Sequence, residues 1–193
     1  MADSTCSAGD VACWLANQVN VLSNIADSMG EVEYLLIGLA YVMGVTFAFK
    51  GIYSLKVYGE ARTMMASNAS IKEPLLNLVV AAVFIFFPSA YEIFMNSSFG
   101  YASPLAYSAV DSPNESINTL FGSESAVGRP LTIIIKVIGL GAFIRGWVMI
   151  ARSGAQGQQP GATSKGIMHV FGGILAINFV GTLQIINNTL YGV

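Results

Sequence analysis

The sequence predicts an all-α integral membrane protein with four transmembrane helices, arranged as two tandem helical hairpins, and an N-terminal amphipathic helix. Charged residues make up 10% of the 193-residue chain and hydrophobic residues 54%, and the mean hydropathy is +0.62. This leaves too few charges to solvate the surface of an ordinary globular protein. Four apolar runs are close to the roughly 20 residues that a helix needs to cross a bilayer. They cover residues 34–53, 75–95, 131–151 and 167–187.

An internal repeat predicts that the two hairpins are copies of one unit. A shift of about 95 positions aligns Gly44 with Gly139 and the pair Lys50-Gly51 with Arg145-Gly146. A shift near 92 aligns the ends of the copies, at residues 96–100 and 188–192. Self-similarity of this kind is the signature of a duplicated structural unit. The predicted organisation is an N-terminal segment (1–33), a first hairpin (34–95), a connector (96–130) and a second hairpin (131–193).

The N-terminal segment has apolar residues at helical spacing between Asp10 and Met29, which predicts an amphipathic helix that Gly30 ends. Its apolar face would lie in the headgroup region or against a neighbouring subunit. The two cysteines, Cys6 and Cys13, both fall in this segment. We expect a disulfide between them, since the segment is assigned below to the oxidising side of the membrane; the alternative is two buried thiols.

Basic residues predict the orientation, because loops that remain in the cytoplasm carry an excess of Lys and Arg. Such residues lie in the loop of the first hairpin (Lys56, Arg62 and Lys72) and in that of the second (Arg152 and Lys165). Both loops are therefore expected in the cytoplasm. Both termini and the connector are expected on the outer side, which is the periplasm if the membrane is a bacterial inner membrane. Within the connector, residues 116–121 are expected to form a short helix.

Ionisable residues near apolar spans are costly, so each needs a role. Six bases beside the membrane are expected either to anchor the helix ends at the headgroups or to bind the phosphate of an anionic phospholipid. They are Lys50, Lys56, Arg62, Arg145, Arg152 and Lys165. Glu92 and Lys136 lie at similar depths from the outer ends of their spans, which predicts an ion pair that ties the two hairpins together.

Small residues recur at intervals of four on three of the spans, and such seams allow helix backbones to approach closely in a bilayer. The predicted seam residues are Ala40, Gly44, Ala48, Ala142, Gly146, Gly172 and Ala176. Seams on three helices also favour a homo-oligomer or hetero-oligomer over a monomer. Pro88 is expected to kink the second span, and Asn178 is expected to hydrogen-bond to a neighbouring helix within the bundle.

Catalytic chemistry is not indicated by any motif. The chain has a single histidine, His169, and it lacks HExxH, GxSxG and phosphate-loop sequences. We therefore expect no enzyme activity and no catalytic, cofactor or metal site, apart from a bound anionic phospholipid. His169 is interpreted as an interfacial residue in preference to a proton relay. A net charge of −2 without a basic stripe argues against a nucleic-acid partner.

Each half of the chain, with its small-residue helices and short basic loop, resembles the two-helix pilin-like subunits of conjugation machines. Over essentially the full length, the acidic segment with Cys6 and Cys13, the four spans and the repeated Lys50-Gly51 and Arg145-Gly146 pairs resemble the IcmC/DotE family of the Dot/Icm type IVB secretion system. This resemblance implies a non-catalytic inner-membrane component of an apparatus that exports effector proteins into a host cell and so serves virulence. Its partners would be other secretion-system membrane proteins.

Two other interpretations remain open from the residues. One is a small self-contained pore or transporter, whose duplicated halves would enclose a substrate path and whose helices should be interrupted by polar groups near the bilayer midplane. The other is a holin-like or stress-related membrane protein, which fits the size of the chain but gives no reason for the paired cysteines.

Overall fold

The chain is all-helical in the residues that the computed structural model describes, namely 11–63, 70–101, 109–110, 112–123, 125–155 and 161–192. Two helices are each long and apolar enough to cross a membrane, and two bent pairs of helices pass the same test when each pair is taken as one span. The protein is therefore a helical membrane protein with two to four candidate spans. The helices are α1 (Val11–Thr63), α2 (Lys72–Ile85), α3 (Phe87–Phe99), α4 (Glu115–Phe121), α5 (Gly128–Ser153), α6 (Ala162–Ile177) and α7 (Phe179–Tyr191).

Helix α1 is the longest element and contains the first predicted span. Its 53 residues run unbroken for about 80 Å at 1.5 Å per residue. The prediction of a separate amphipathic helix that ends at Gly30 is therefore corrected. The described part of that segment continues through Gly30 into the first span. A glycine ends a helix by adopting a left-handed conformation, and Gly30 is not among the glycines with positive φ. Cys6 lies outside the described residues, so its disulfide with Cys13 remains a prediction.

The second and fourth predicted spans are both bent, at elbows that occupy equivalent positions of the repeat. Helices α2 and α3 meet at Phe86 with an angle of 93°, and α6 and α7 meet at Asn178 with an angle of 89°. The predicted kink at Pro88 is thus present, and Pro88 lies in the first turn of α3, where a missing backbone N–H costs nothing. The elbows are 92 positions apart, which is the shift that aligns the ends of the two copies.

Glycines at equivalent positions make equivalent close contacts inside the two hairpins. A methyl group added at Gly44 would lie 2.9 Å from the backbone nitrogen of Ile85, and one added at Gly139 would lie 2.7 Å from that of Ile177. The contact of Gly51 with Leu78 likewise corresponds to that of Gly146 with Val170. The corresponding glycines are 95 positions apart, and the residues that they contact are 92 positions apart. The internal repeat is thus a repeat of helix-packing geometry.

The aromatic core joins the two hairpins. The ring of Phe143, on α5 of the second hairpin, is fully buried and lies 5.9 Å from the ring of Phe87 and 5.7 Å from that of Phe94, both on α3. Trp147, one turn further along α5, also contacts Phe94. Edge-on ring contacts of this kind are favourable beyond the apolar area that they bury. The bend at Phe86 therefore turns α3 away from its own hairpin and onto the next one.

The connector contains the short helix that the sequence predicts. Helix α4 begins after Asn114, whose side-chain oxygen accepts a hydrogen bond of 3.0 Å from the backbone nitrogen of Ser116, as expected of an N-cap. At the other end of α4, the ring of Phe121 packs against that of Phe179, which is the first residue of α7. The connector thus lies beside the elbow of the second hairpin.

Candidate functional site

The closest helix approaches form two glycine seams, one in each hairpin. Among the predicted seam residues, Ala40 is fully buried, Gly44 packs on α2 and Gly146 packs on α6. Ala48, Ala142 and Ala176 are half-buried, and Ala176 contacts Gly139. The predicted use of Gly172 is corrected: it is exposed, and no atom lies within 4 Å of a methyl group built there.

The neighbouring glycine makes the contact instead. A methyl group at Gly173 would lie 2.7 Å from the backbone nitrogen of Phe143 and 2.8 Å from the carbonyl oxygen of Gly139. A methyl group at Gly166 would likewise lie 2.9 Å from the Gly146 carbonyl oxygen. Successive residues of a helix are about 100° apart around its axis, so Gly172 points away from the neighbouring helix that Gly173 contacts. The spacing of small residues alone did not distinguish the two positions.

Basic side chains lie at the end of the bundle where α1 is followed by α2 and α5 by α6, within residues 50–73 and 145–165, which we call the loop end. Lys50 forms an ion pair with Glu73 of α2, with a Nζ to Oε1 distance of 3.4 Å. Lys56 pairs with Glu60 on the same helix at 3.7 Å, and Arg62 donates a hydrogen bond of 3.1 Å to the Tyr58 hydroxyl. Three of the six predicted lipid-binding bases thus have partners within the protein.

The other three bases are on the second hairpin. Arg145, Arg152 and Lys165 are exposed, and none forms an ion pair with another residue in the described part of the chain. The two copies of the hairpin therefore differ in charge balance at the loop end, although their helix contacts match.

An ion pair joins the two hairpins, but with a different acid from the predicted one. Lys136 of α5 pairs with Glu33 of α1, with Nζ to Oε distances of 2.8 and 2.9 Å. The predicted pairing with Glu92 is thus corrected. The reason is the elbow at Phe86, because the 93° bend turns α3 away from the direction of a straight span and leaves Glu92 exposed. Both partners of the observed pair are about one-third exposed.

A second polar contact joins the connector to the second hairpin, at the elbow of α6 and α7. The side-chain amide of Asn178, which is 1% exposed, donates a hydrogen bond to the hydroxyl of Tyr101, just after α3. The predicted hydrogen bond of Asn178 to a neighbouring helix is thus corrected in its partner, since Tyr101 lies just beyond the end of α3 and not on a helix. Gly181 makes room for the phenol, since a methyl group there would overlap the Tyr101 hydroxyl. The connector thus inserts a tyrosine into the elbow of the second hairpin.

Several buried polar groups have no hydrogen-bond partner among the described residues. The most complete case is Asn77 of α2, which is fully buried with both its amide nitrogen and its amide oxygen unpartnered. The Tyr91 hydroxyl and the Trp147 indole nitrogen share this condition. Unsatisfied polar atoms are costly in a protein interior and are rare in native structures. These residues could not be predicted from the sequence, because a single polar side chain in an apolar helix shows no pattern.

In the described ranges no group of three or more His, Cys, Asp or Glu side chains could hold a metal ion. His169 is half-buried at the middle of α6, and its Nδ1 lies 2.8 Å from the carbonyl oxygen of Lys165. No protein-family model, curated protein or solved structure matches this chain.

Proposed function

We propose that this protein is a structural component of a type IVB secretion apparatus in a bacterial inner membrane, and that it acts through helix packing and assembly without catalysis. The resemblance of its repeated hairpins to the IcmC/DotE family motivates the choice of apparatus. In this proposal the loop end faces the cytoplasm, because of its basic residues, and both termini lie in the periplasm. Other secretion-system membrane proteins or further copies of the chain are its partners.

The observation that carries the proposal is the uncovered face of α1. Only 17% of its most apolar stretch is buried inside the protein, compared with 39% for α5. Large apolar side chains recur on the open face every seven residues, at Leu35, Val42 and Phe49, and their exposed fractions are 67%, 65% and 71%. A seven-residue repeat of this kind suits docking against another helix. Gly38, on the same stretch, has open space around it for a close approach.

Photocrosslinking from this face tests the proposal. A photoreactive amino acid is placed at Val42 in the native host, and a second variant carries it at Ile138 on α5, which has the same exposed fraction of 65%. We expect protein adducts of defined mass from Val42 and mainly lipid adducts from Ile138. Gentle detergent extraction should also recover the chain in a large envelope assembly. Equal protein labelling from both positions, or recovery of a lone monomer, would contradict an assembly role.

Orientation is tested separately with a thiol reagent that cannot cross the membrane. Single cysteines are placed near Asn114 in the connector and near Ser67 in the loop of the first hairpin. The proposal expects labelling near Asn114 in intact inner-membrane spheroplasts and protection near Ser67. The reverse labelling pattern would show that the orientation in the membrane is opposite to the proposed one, and the helix contacts would still hold.

A self-contained pore or transporter is a second candidate, which the paired elbows favour. Broken helices at corresponding positions of two repeats are a feature of transporter binding sites. Here the elbows fall at Phe86 and Asn178, and buried Asn178 is polar. Purified protein in sealed liposomes should then release a small trapped ion or solute, and Asn178→Leu should reduce the release. Liposomes that retain the trapped solute, together with recovery of the native protein in a large assembly, would favour a structural role in the secretion apparatus.

A further inference from the structure

The loop end carries a large surplus of positive charge. Residues 50–73 and 145–165 contain seven bases and two acids. The bases are Lys50, Lys56, Arg62, Lys72, Arg145, Arg152 and Lys165, and the acids are Glu60 and Glu73. Both acids are already engaged, Glu73 by Lys50 and Glu60 by Lys56. The second hairpin therefore has no acid of its own at this end with which to neutralise its bases.

Comparison of the two hairpins locates the unbalanced charge. In the first hairpin, Lys50 of α1 reaches Glu73 of α2. The shifts of 95 and 92 positions that superimpose the glycine contacts carry these two residues onto Arg145 and Lys165. The second hairpin thus has two like charges where the first has an ion pair. The backbones are close at this level, since a methyl group at Gly146 would lie 2.8 Å from the Gly166 carbonyl oxygen.

Nothing in the adjoining chain compensates for these charges. Both side chains are exposed and lack an ion pair within the described ranges, and the segments 64–69 and 156–160 contain no Asp or Glu. Arg145 lies eight residues before the end of α5, which is about 12 Å along the helix axis. Charges at that depth in an apolar span need a counter-ion or must extend to the headgroups.

We infer that Arg145 and Lys165 form a binding site for a phosphate group, which takes the place that the Glu73 carboxylate occupies in the first hairpin. A guanidinium binds phosphate oxygens through two parallel hydrogen bonds, and an ammonium adds a point charge. The exposed position beside the bilayer suits the headgroup of an anionic phospholipid, and a soluble phosphate compound shares the same chemistry. The inference depends on the membrane character of the chain and not on a role in secretion.

Lipid titration of the purified full chain tests the site by native mass spectrometry. The probes are phosphatidylglycerol, phosphatidylcholine as a zwitterionic control, and glycerol 3-phosphate as a soluble phosphate. Each unit of positive charge near an anionic membrane strengthens binding about fivefold. Arg145→Gln removes one charge and should weaken phosphatidylglycerol binding about fivefold. Lys165→Glu changes the charge by two units and rebuilds the ion pair of the first hairpin, so it should weaken binding about 30-fold. Phosphatidylcholine binding should not change. Lys165→Arg keeps the charge and should bind as the wild type does.

A gain of binding provides the converse test, which does not depend on a damaged variant. Glu73→Lys converts the first hairpin to the charge pattern of the second and should add one further phosphatidylglycerol molecule per chain. Tighter binding of glycerol 3-phosphate than of phosphatidylglycerol would identify a soluble phosphate as the ligand of the same site. The inference is overturned if Lys165→Glu and Arg145→Gln both retain wild-type binding, or if Glu73→Lys adds no lipid.

Discussion

Reversing the charge of Glu33 should separate the two hairpins at the level of Lys136. These side chains pair at 2.8 Å between α1 and α5, and each is about one-third exposed. Loss of one partner of a buried ion pair costs about 3–5 kcal/mol of stability. Because this pair is partly exposed, Glu33→Lys should lower the free energy of unfolding by about 2–3 kcal/mol. For a chain of this size that corresponds to a decrease of about 5–10 °C in the unfolding temperature. Helix loss on heating in detergent micelles measures the decrease.

A double-mutant cycle distinguishes this pair from a general effect of charge. The double variant Glu33→Lys with Lys136→Glu should recover at least half of the lost stability, because the pair is rebuilt with its charges exchanged. Glu92→Lys, which changes an exposed acid on α3, should have little effect and should not rescue Lys136→Glu. Rescue by Glu92→Lys, with no recovery in the Glu33 double variant, would show that the straight-span pairing holds in the membrane and that our assignment of the acid is wrong.

Three further substitutions test the packing. Gly146→Ala should destabilise the protein by about 1–3 kcal/mol in the same thermal assay, because the added methyl group would clash with the α6 backbone. Gly141→Ala is the control and should be neutral or stabilising, since a methyl group there meets no atom within 4 Å. Equal effects of the two substitutions would refute the seam. Asn77→Leu should raise the unfolding temperature, because it removes a buried amide that has no partner among the described residues, and a decrease would reveal a partner outside them. Tyr101→Phe should cost about 1 kcal/mol in the same thermal assay, because it removes the acceptor of the Asn178 amide hydrogen bond. Unchanged stability would argue against the elbow contact.

Helix content and hairpin pairing could be predicted from the sequence because they depend on short-range patterns. An apolar run of about 20 residues predicts a membrane helix whatever its neighbours are. The repeat then predicts which glycines correspond, and the matching contacts of Gly44 and Gly139 follow from that alignment. The short helix at Glu115–Phe121 was predictable for a similar reason, since a capping Asn precedes it.

The bent spans were only half predictable. Pro88 signals a break in the second span, because proline removes a backbone donor and its ring clashes with the preceding turn. No proline lies near Asn178, and that elbow depends on Tyr101 from the connector and on the space left by Gly181. Such a contact spans 77 positions of the sequence and leaves no local pattern. The true partner of Lys136 was missed for the same reason, since the bend at Phe86 moves Glu92 away from its expected place.

Differences between the two copies of the hairpin separate architecture from function. The glycine contacts are retained in both copies, as duplicated folds require. What differs is charge and polarity, with Glu73 replaced by Lys165 at the loop end and Phe86 replaced by Asn178 at the elbow. Both changes place a polar group on the second hairpin where the first has a different residue. The Asn178 amide donates to Tyr101 of the connector, whereas Lys165 and Arg145 have no ion-pair partner among the described residues. An external anion is therefore expected at the loop end of the second hairpin and not of the first.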